Sequence, residues 1–286
     1  MASSTKRSPN VWSYEDIDAG GEALRSIFQD QNIKISEGST LSKLLRQASR
    51  LSNEWRSVEL SDHGALLVDA GHANRIIQAV ISAADDPGSI PCMRRIAKKD
   101  VNLSQRVVSS GKDALWELEF LAMLRSKGIQ ARLGEPDIVA SFLFGEYSVA
   151  CKKVYSDACR SVEAQLRAGA AQLSRSGRPG IIALNIDDLI PANALMTART
   201  VDAAMQTLEQ SAKSFLDKHQ PKAERFVKDG RCDGILVSLT VPSDIETSSP
   251  TFNQLASMTL WSLETISDQA GARIEHIRAA FQNASS

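Results

Sequence analysis

The chain has 286 residues, and its 33 Lys and Arg against 34 Asp and Glu leave a net charge of −1. No global field therefore draws it to nucleic acid or to an anionic membrane, and any such contact must be local. A hydrophobic fraction of 43% beside 23% charged residues excludes disordered and collagen-like chains and suits a packed globular core.

In chain order, residues 1–12 carry Lys6 and Arg7 with no apolar run behind them, which reads as a flexible tail and not as a secretory signal. No stretch approaches the roughly 18 apolar residues of a membrane span. Cys92, Cys151, Cys159 and Cys232 are scattered without a CxxC pair, and the four histidines stand far apart, which disfavours a zinc ribbon, a thioredoxin-like motif and a disulfide framework. The expected compartment is the reducing cytoplasm, with no membrane contact. Residues 13–107 read as a helical module. Leu41, Leu44, Leu45, Ala48 and Leu51 follow helical spacing behind the cap candidates Ser39 and Thr40. Ala73, Ile76, Ile77, Val80 and Ile81 repeat the stripe until Asp85-Asp86-Pro87-Gly88 stops it.

From 108 to 286 the grammar is α/β, a mixed central sheet flanked by helices. A helix over 111–127 is closed by Gly128; short strands follow at 129–133, 138–144 and 147–154, then a helix over 156–174 and a strand at 181–186. A long polar helical stretch, 192–228, is expected to break at Pro221 before a strand at 235–241 and a closing helix over 267–281.

Familiar catalytic motifs are absent. Gly111-Lys112 lacks the earlier glycine of a phosphate loop because position 106 is Arg106, and there is no GxSxG, HExxH or GxGxxG. One dense segment remains: Trp116-Glu117-Leu118-Glu119 on a helix, Pro136-Asp137 opening a strand, and Cys151-Lys152-Lys153 closing the next. An aspartate at a strand start and a lysine in the following strand can meet at one end of a sheet, with the helix placing a glutamate beside them. Carboxylates bind hard divalent cations, and a lysine can orient an attacking water. Strand alternation puts Ser148, Ala150 and Lys152 on one face and Val149, Cys151 and Lys153 on the other. Lys152 is the candidate if its face looks toward Asp137.

Over residues 111–190 the segment resembles the PD-(D/E)XK, or restriction-endonuclease-like, nuclease superfamily. The resemblance implies a phosphodiester hydrolase using Mg²⁺ or Mn²⁺, with Asp137 as principal metal ligand, Lys152 orienting the water, and the Cys151 carbonyl as a further metal contact. It makes Glu117 the helix acid and Glu119 the reserve, and it lets Gln165 or Gln172 reach a phosphate. The acid expected two positions before the lysine is here Ala150. Either Glu117 supplies the missing carboxylate, or the fold is catalytically inactive and kept as a nucleic-acid-binding or protein-interaction subunit.

Ordinary structural readings stand beside these. Pro136-Asp137 also suits a turn, Lys152-Lys153 an exposed strand end, and Cys151 and Cys159 the core. Glu117 and Glu119 lie among apolar neighbours and need partners. The run Arg94, Arg95, Lys98 and Lys99 belongs to a stretch, 91–112, with six basic residues against one acid, a local footprint for a phosphate backbone or a solvated helix face. The expected partner is nucleic acid, DNA before RNA, with a homo-oligomer or protein partner left open.

Overall fold

The computed structural model describes residues 3–4, 13–54, 63–248 and 252–283. Four helices come first: α1 (Tyr14–Asp30), α2 (Thr40–Glu54), α3 (His63–Ser82) and α4 (Ile90–Lys98). Ser13 opens α1 with a capping box, and the Ser39 hydroxyl accepts the Ser42 N–H at the start of α2. The next helix, α5 (Ser110–Ser126), leads through Gly128, whose φ of +72° suits a glycine past a helix end, into β2 (Gln130–Leu133), β3 (Ile138–Phe142) and β4 (Gly145–Lys153). Then come α6 (Cys159–Ser176), β5 (Gly180–Asn185), β6 (Met196–Ala198), α7 (Val201–Lys228), β7 (Gly234–Ile245), β8 (Phe252–Trp261) and α8 (Asp268–Asn283).

The chain is thus α/β with a mixed sheet. Its strand order is β1-β8-β7-β5-β4-β3-β2, where β1 is Ser3–Ser4 beside β8, and β6 extends the β5 side of the long β7. Strands β2, β3 and β4 form an antiparallel meander; β4, β5 and β7 run parallel, joined through α6 and α7; and β8 returns antiparallel. Alternate residues of each central strand enter two cores. Val149, Cys151, Ile181, Ala183, Leu236 and Leu260 pack beneath α5 and the N-terminal helices, so Leu24, Leu41 and Ile77 share one continuous core with the sheet. Ala150, Ile182, Leu184, Ile235 and Val237 face α6 and α7. Helix α5 is buried on nearly every side between the N-terminal helices and the sheet, as its apolar composition demands.

Several expectations need correction. Helix α7 does not break at Pro221: the missing N–H leaves one carbonyl without its helical partner, but Leu216, Ala223, Phe226 and Val227 are buried on both sides of it and hold the helix together. The polar stretch before α7 holds β6 and no helix from 192. Strand β8 was not expected at all. Cys159 is exposed at the start of α6, not in the core, whereas Cys151 is buried. Of the expected tail, Ser3 and Ser4 pair with Leu260 and Thr259 of β8, and residues 5–12 lie outside the described residues. Among the described residues no helix is long and apolar enough to cross a membrane.

Candidate functional site

The β3–β4 register sets the site. Ile138 pairs with Val149, so Asp137, one residue ahead of β3, arrives beside Ala150 and Cys151 on β4. The Cys151 N–H donates to Asp137 Oδ2 at 2.8 Å, and Lys152 Nζ donates to the same oxygen at 3.2 Å. Lys152 Nζ also donates to the Cys151 carbonyl at 2.6 Å. From α6, Gln172 Nε2 reaches Asp137 Oδ1 at 3.4 Å, while its own Oε1 is buried without a partner among the described residues. Close packing of α6 on the sheet permits that reach. Gly169 lies against Ile182, and a Cβ at Gly169 would come within 2.9 Å of the Ile182 side chain. Asp137 and Lys152 have side chains only 12% and 13% exposed.

Burial pushes the Asp137 carboxyl up to about 6; the charge of Glu117 adds to the rise, and Lys152 with the Cys151 amide opposes it. The two carboxylates of the site therefore feel each other. Glu117 itself is held from α4. Arg95 forks onto it, with Nη1 to Oε1 at 3.0 Å and Nη2 to Oε2 at 2.7 Å, and Cys92 Sγ donates to Oε2 at 3.1 Å. Burial and the neighbouring Glu117 charge push the Cys92 thiol up to about 12, which keeps it a neutral donor. Burial, together with Asp137 and Glu117, likewise pushes the Cys151 thiol far above its ordinary range.

Asp137, Lys152, Cys151 and Gln172 are thus joined by hydrogen bonds, and Glu117 stands near enough for its charge to raise Asp137 but makes no hydrogen bond with them. Gln165 lies two turns before Gln172 on nearly the same face of α6, half-buried, and is not joined to them. Ala150 is fully buried in the core beneath α6, so nothing at that position faces the site as an acid. Glu119, the reserve helix acid, points elsewhere: Arg75 donates to its two carboxylate oxygens at 2.6 and 2.9 Å. Lys153 lies on the opposite face from Lys152, buried against Asn185 Oδ1 at 2.6 Å. The basic stretch is smaller as a surface than as a sequence. Arg95 is committed to Glu117, Arg106 to Asp188 at 2.9 Å, and the fully buried Lys112 to the Gln105 and Val107 carbonyls. Arg94, Lys98 and Lys99 remain exposed on and just after α4.

Sequence reasoning missed a second ionic cluster at the same end of the parallel strands. Arg75 also donates to Asp187 Oδ2 at 2.7 Å, the Thr240 N–H donates to Asp187 Oδ1 at 2.8 Å, and Lys112 and Lys153 stand 3.9 and 3.7 Å from Asp188 Oδ2. Its signal was the acidic pair Asp187-Asp188 shortly after the apolar run from Ile181 to Leu184.

Among the described residues no group of three or more His, Cys, Asp and Glu side chains is placed to hold a metal ion. The oxygens that could serve a hard cation are two mutually repelling carboxylates and the Cys151 carbonyl, a donor set of the right chemistry for Mg²⁺, which relies on one or two carboxylates and keeps several waters. Each of those groups is also engaged by Lys152 or Arg95, so cation binding has to displace those hydrogen bonds. In comparison with known proteins, the chain matches no family model, no curated sequence and no solved structure.

Proposed function

We propose that this chain is a metal-dependent nuclease of the restriction-endonuclease-like kind, hydrolysing phosphodiester bonds, with DNA the first substrate to test. The observation that carries the reading is the convergence of Asp137 and Lys152 at 3.2 Å, with Gln172 on the other Asp137 oxygen and the Glu117 charge near enough to raise that carboxyl. Support also comes from the order α5-β2-β3-β4-α6-β5, an antiparallel meander followed by a parallel strand, which is the element order of the resemblance. Asp137, Glu117 and the Cys151 carbonyl would hold Mg²⁺ or Mn²⁺, which when bound supplies the positive charge that polarises the phosphate. Asp137 must be ionised for this role. Lys152 turns its ammonium from Asp137 toward the attacking water and the phosphate oxygen, Gln172 keeps the Asp137 carboxylate oriented, and Arg94, Lys98 and Lys99 offer the exposed charge for a nucleic-acid backbone.

The test is cleavage of single- and double-stranded DNA and RNA with Mg²⁺, Mn²⁺ or chelator, alongside Asp137→Ala and Lys152→Ala. Metal-dependent products lost in both folded variants support the nuclease. No cleavage of any substrate by folded protein overturns it. A second reading, an inactive nuclease fold that binds nucleic acid or protein, draws on the bidentate Arg95–Glu117 pair and on Ala150 in the acid's place. Calorimetry separates the two: Mn²⁺ uptake that disappears in Asp137→Ala favours the enzyme, and no uptake favours the inactive form.

A further inference from the structure

The β7–β8 ladder pairs Ser238 with Met258, Thr240 with Ala256 and Pro242 with Gln254. The alternate residues Leu239, Val241 and Leu255 are buried in the core beneath α7. On the other face the apolar run that includes Leu236 and Leu260 gives way to small and polar residues beyond Ser238. A sheet face sealed by helices is apolar; this one is instead the floor of a cleft of about 240 Å³ walled by α3 and α5. That volume exceeds the roughly 150 Å³ that accommodates a benzene ring in a protein cavity.

The chemistry of the cleft is specific. Three of its polar atoms are buried without a partner among the described residues: Asn74 Oδ1 on α3, Ser238 Oγ on β7 and Gln254 Nε2 on β8. They amount to an acceptor, a hydroxyl that can serve either way, and a donor. Buried polar groups are normally satisfied, and each one left open costs on the order of 1–3 kcal/mol, so three unpaired atoms on residues that line one cleft call for a partner. Trp116, Met123 and Met258 give that space flat and adaptable apolar walls. Among the described residues Arg75 is the only cation lining it, and Glu119 with Asp187 already holds that guanidinium. Among the described residues no uncommitted cation lines the cleft to meet a phosphate.

From this geometry we infer that the cleft between α3, α5 and the β7–β8 ladder binds an uncharged planar heterocycle with adjacent hydrogen-bond donors and acceptors, the chemistry of a nucleobase. The base comes either as a free nucleoside or as an unstacked base of a polynucleotide. The site is distinct from the Asp137 cluster and does not depend on the nuclease reading.

The experiment is titration of the full chain, by calorimetry and ligand-observed NMR, with adenosine, guanosine, cytidine and uridine, and separately with short single-stranded DNA and RNA oligonucleotides. Filling the cleft from the floor with Ala256→Phe and from the α5 wall with Ala122→Phe guards against misfolding of either variant, and Ser238→Ala removes the floor hydroxyl. The expected result is saturable binding of at least one nucleoside or oligonucleotide, lost in each folded filled variant and about tenfold weaker in Ser238→Ala. Competition between the two kinds of ligand identifies a polynucleotide base as a source, and binding of nucleosides alone identifies the free ligand. No binding of either kind, or binding unchanged in the folded filled variants, overturns the assignment. Asp137→Asn is expected to retain nucleoside binding, so failure of the nuclease reading leaves this result standing.

Discussion

Asp137 and Asp187 are both buried aspartates near the same end of the parallel strands, yet their surroundings push them in opposite directions. Burial raises both. At Asp187 that penalty is outweighed by Arg75, Lys153 and the Thr240 N–H, and the carboxyl ends below its ordinary value. At Asp137 one lysine and one amide fall short, Glu117 adds repulsion, and the carboxyl ends near 6. A saturated carboxylate of the first kind holds elements together: Arg75 ties α3 to α5 and to the turn after β5. An under-compensated one stores a cost that a bound cation or substrate can relieve, which is where function is expected.

The comparison can be broken most severely at Arg75. Arg75→Ala leaves Glu119 and Asp187 buried without their guanidinium, and a loss of about 3–5 kcal/mol is expected in urea unfolding; a loss below 1 kcal/mol would show that the cluster is not structural. Next in size, Lys152→Ala is expected to lower cleavage by about 10²- to 10³-fold with little change in melting temperature. The two aspartates then give opposite signs. Asp187→Asn should cost about 2–3 kcal/mol at neutral pH. Because the folded carboxyl lies below its unfolded value, that contribution is complete above about pH 4 and is lost as the pH falls further.

Asp137→Asn should stabilise the apo protein at pH 7 by up to about 3 kcal/mol. Here the folded carboxyl lies above its unfolded value, so between about pH 4 and 6 the folded state binds more protons, and wild-type stability falls as the pH rises through that window. The advantage of the variant should grow from nothing near pH 4 to its full size above 6, read from melts at several pH values. An advantage independent of pH would refute the shift. Smallest of all, Lys98→Ala should change stability by less than about 0.5 kcal/mol while reducing the salt dependence of nucleic-acid binding by about one ion.

Much of this site was legible because it rests on local rules. Strand alternation separated Lys152 from Lys153, and a strand-start aspartate two strands into a meander had few places to go. The apolar neighbours of Glu117 and Glu119 demanded partners, and both have them. The identity of those partners was not legible. Arg95 and Arg106 sit in a run that reads as a solvated basic patch, and only tertiary packing turns them inward. Strand β8 escaped because one of its faces is broken by Gln254, Ala256 and Met258 where it lines the cleft, so no clean apolar alternation marks it. Pro221 misled because a helix held by burial on both sides tolerates a lost hydrogen bond that an isolated helix would not.

The central strand β5 has one further consequence. It is buried at all six positions and bonded on both sides by parallel neighbours, β4 and β7. Its amides can meet solvent only when the whole sheet opens, so in native-state hydrogen exchange the stretch from Ile181 to Asn185 should be the slowest to take up deuterium and should report the global unfolding free energy of the chain.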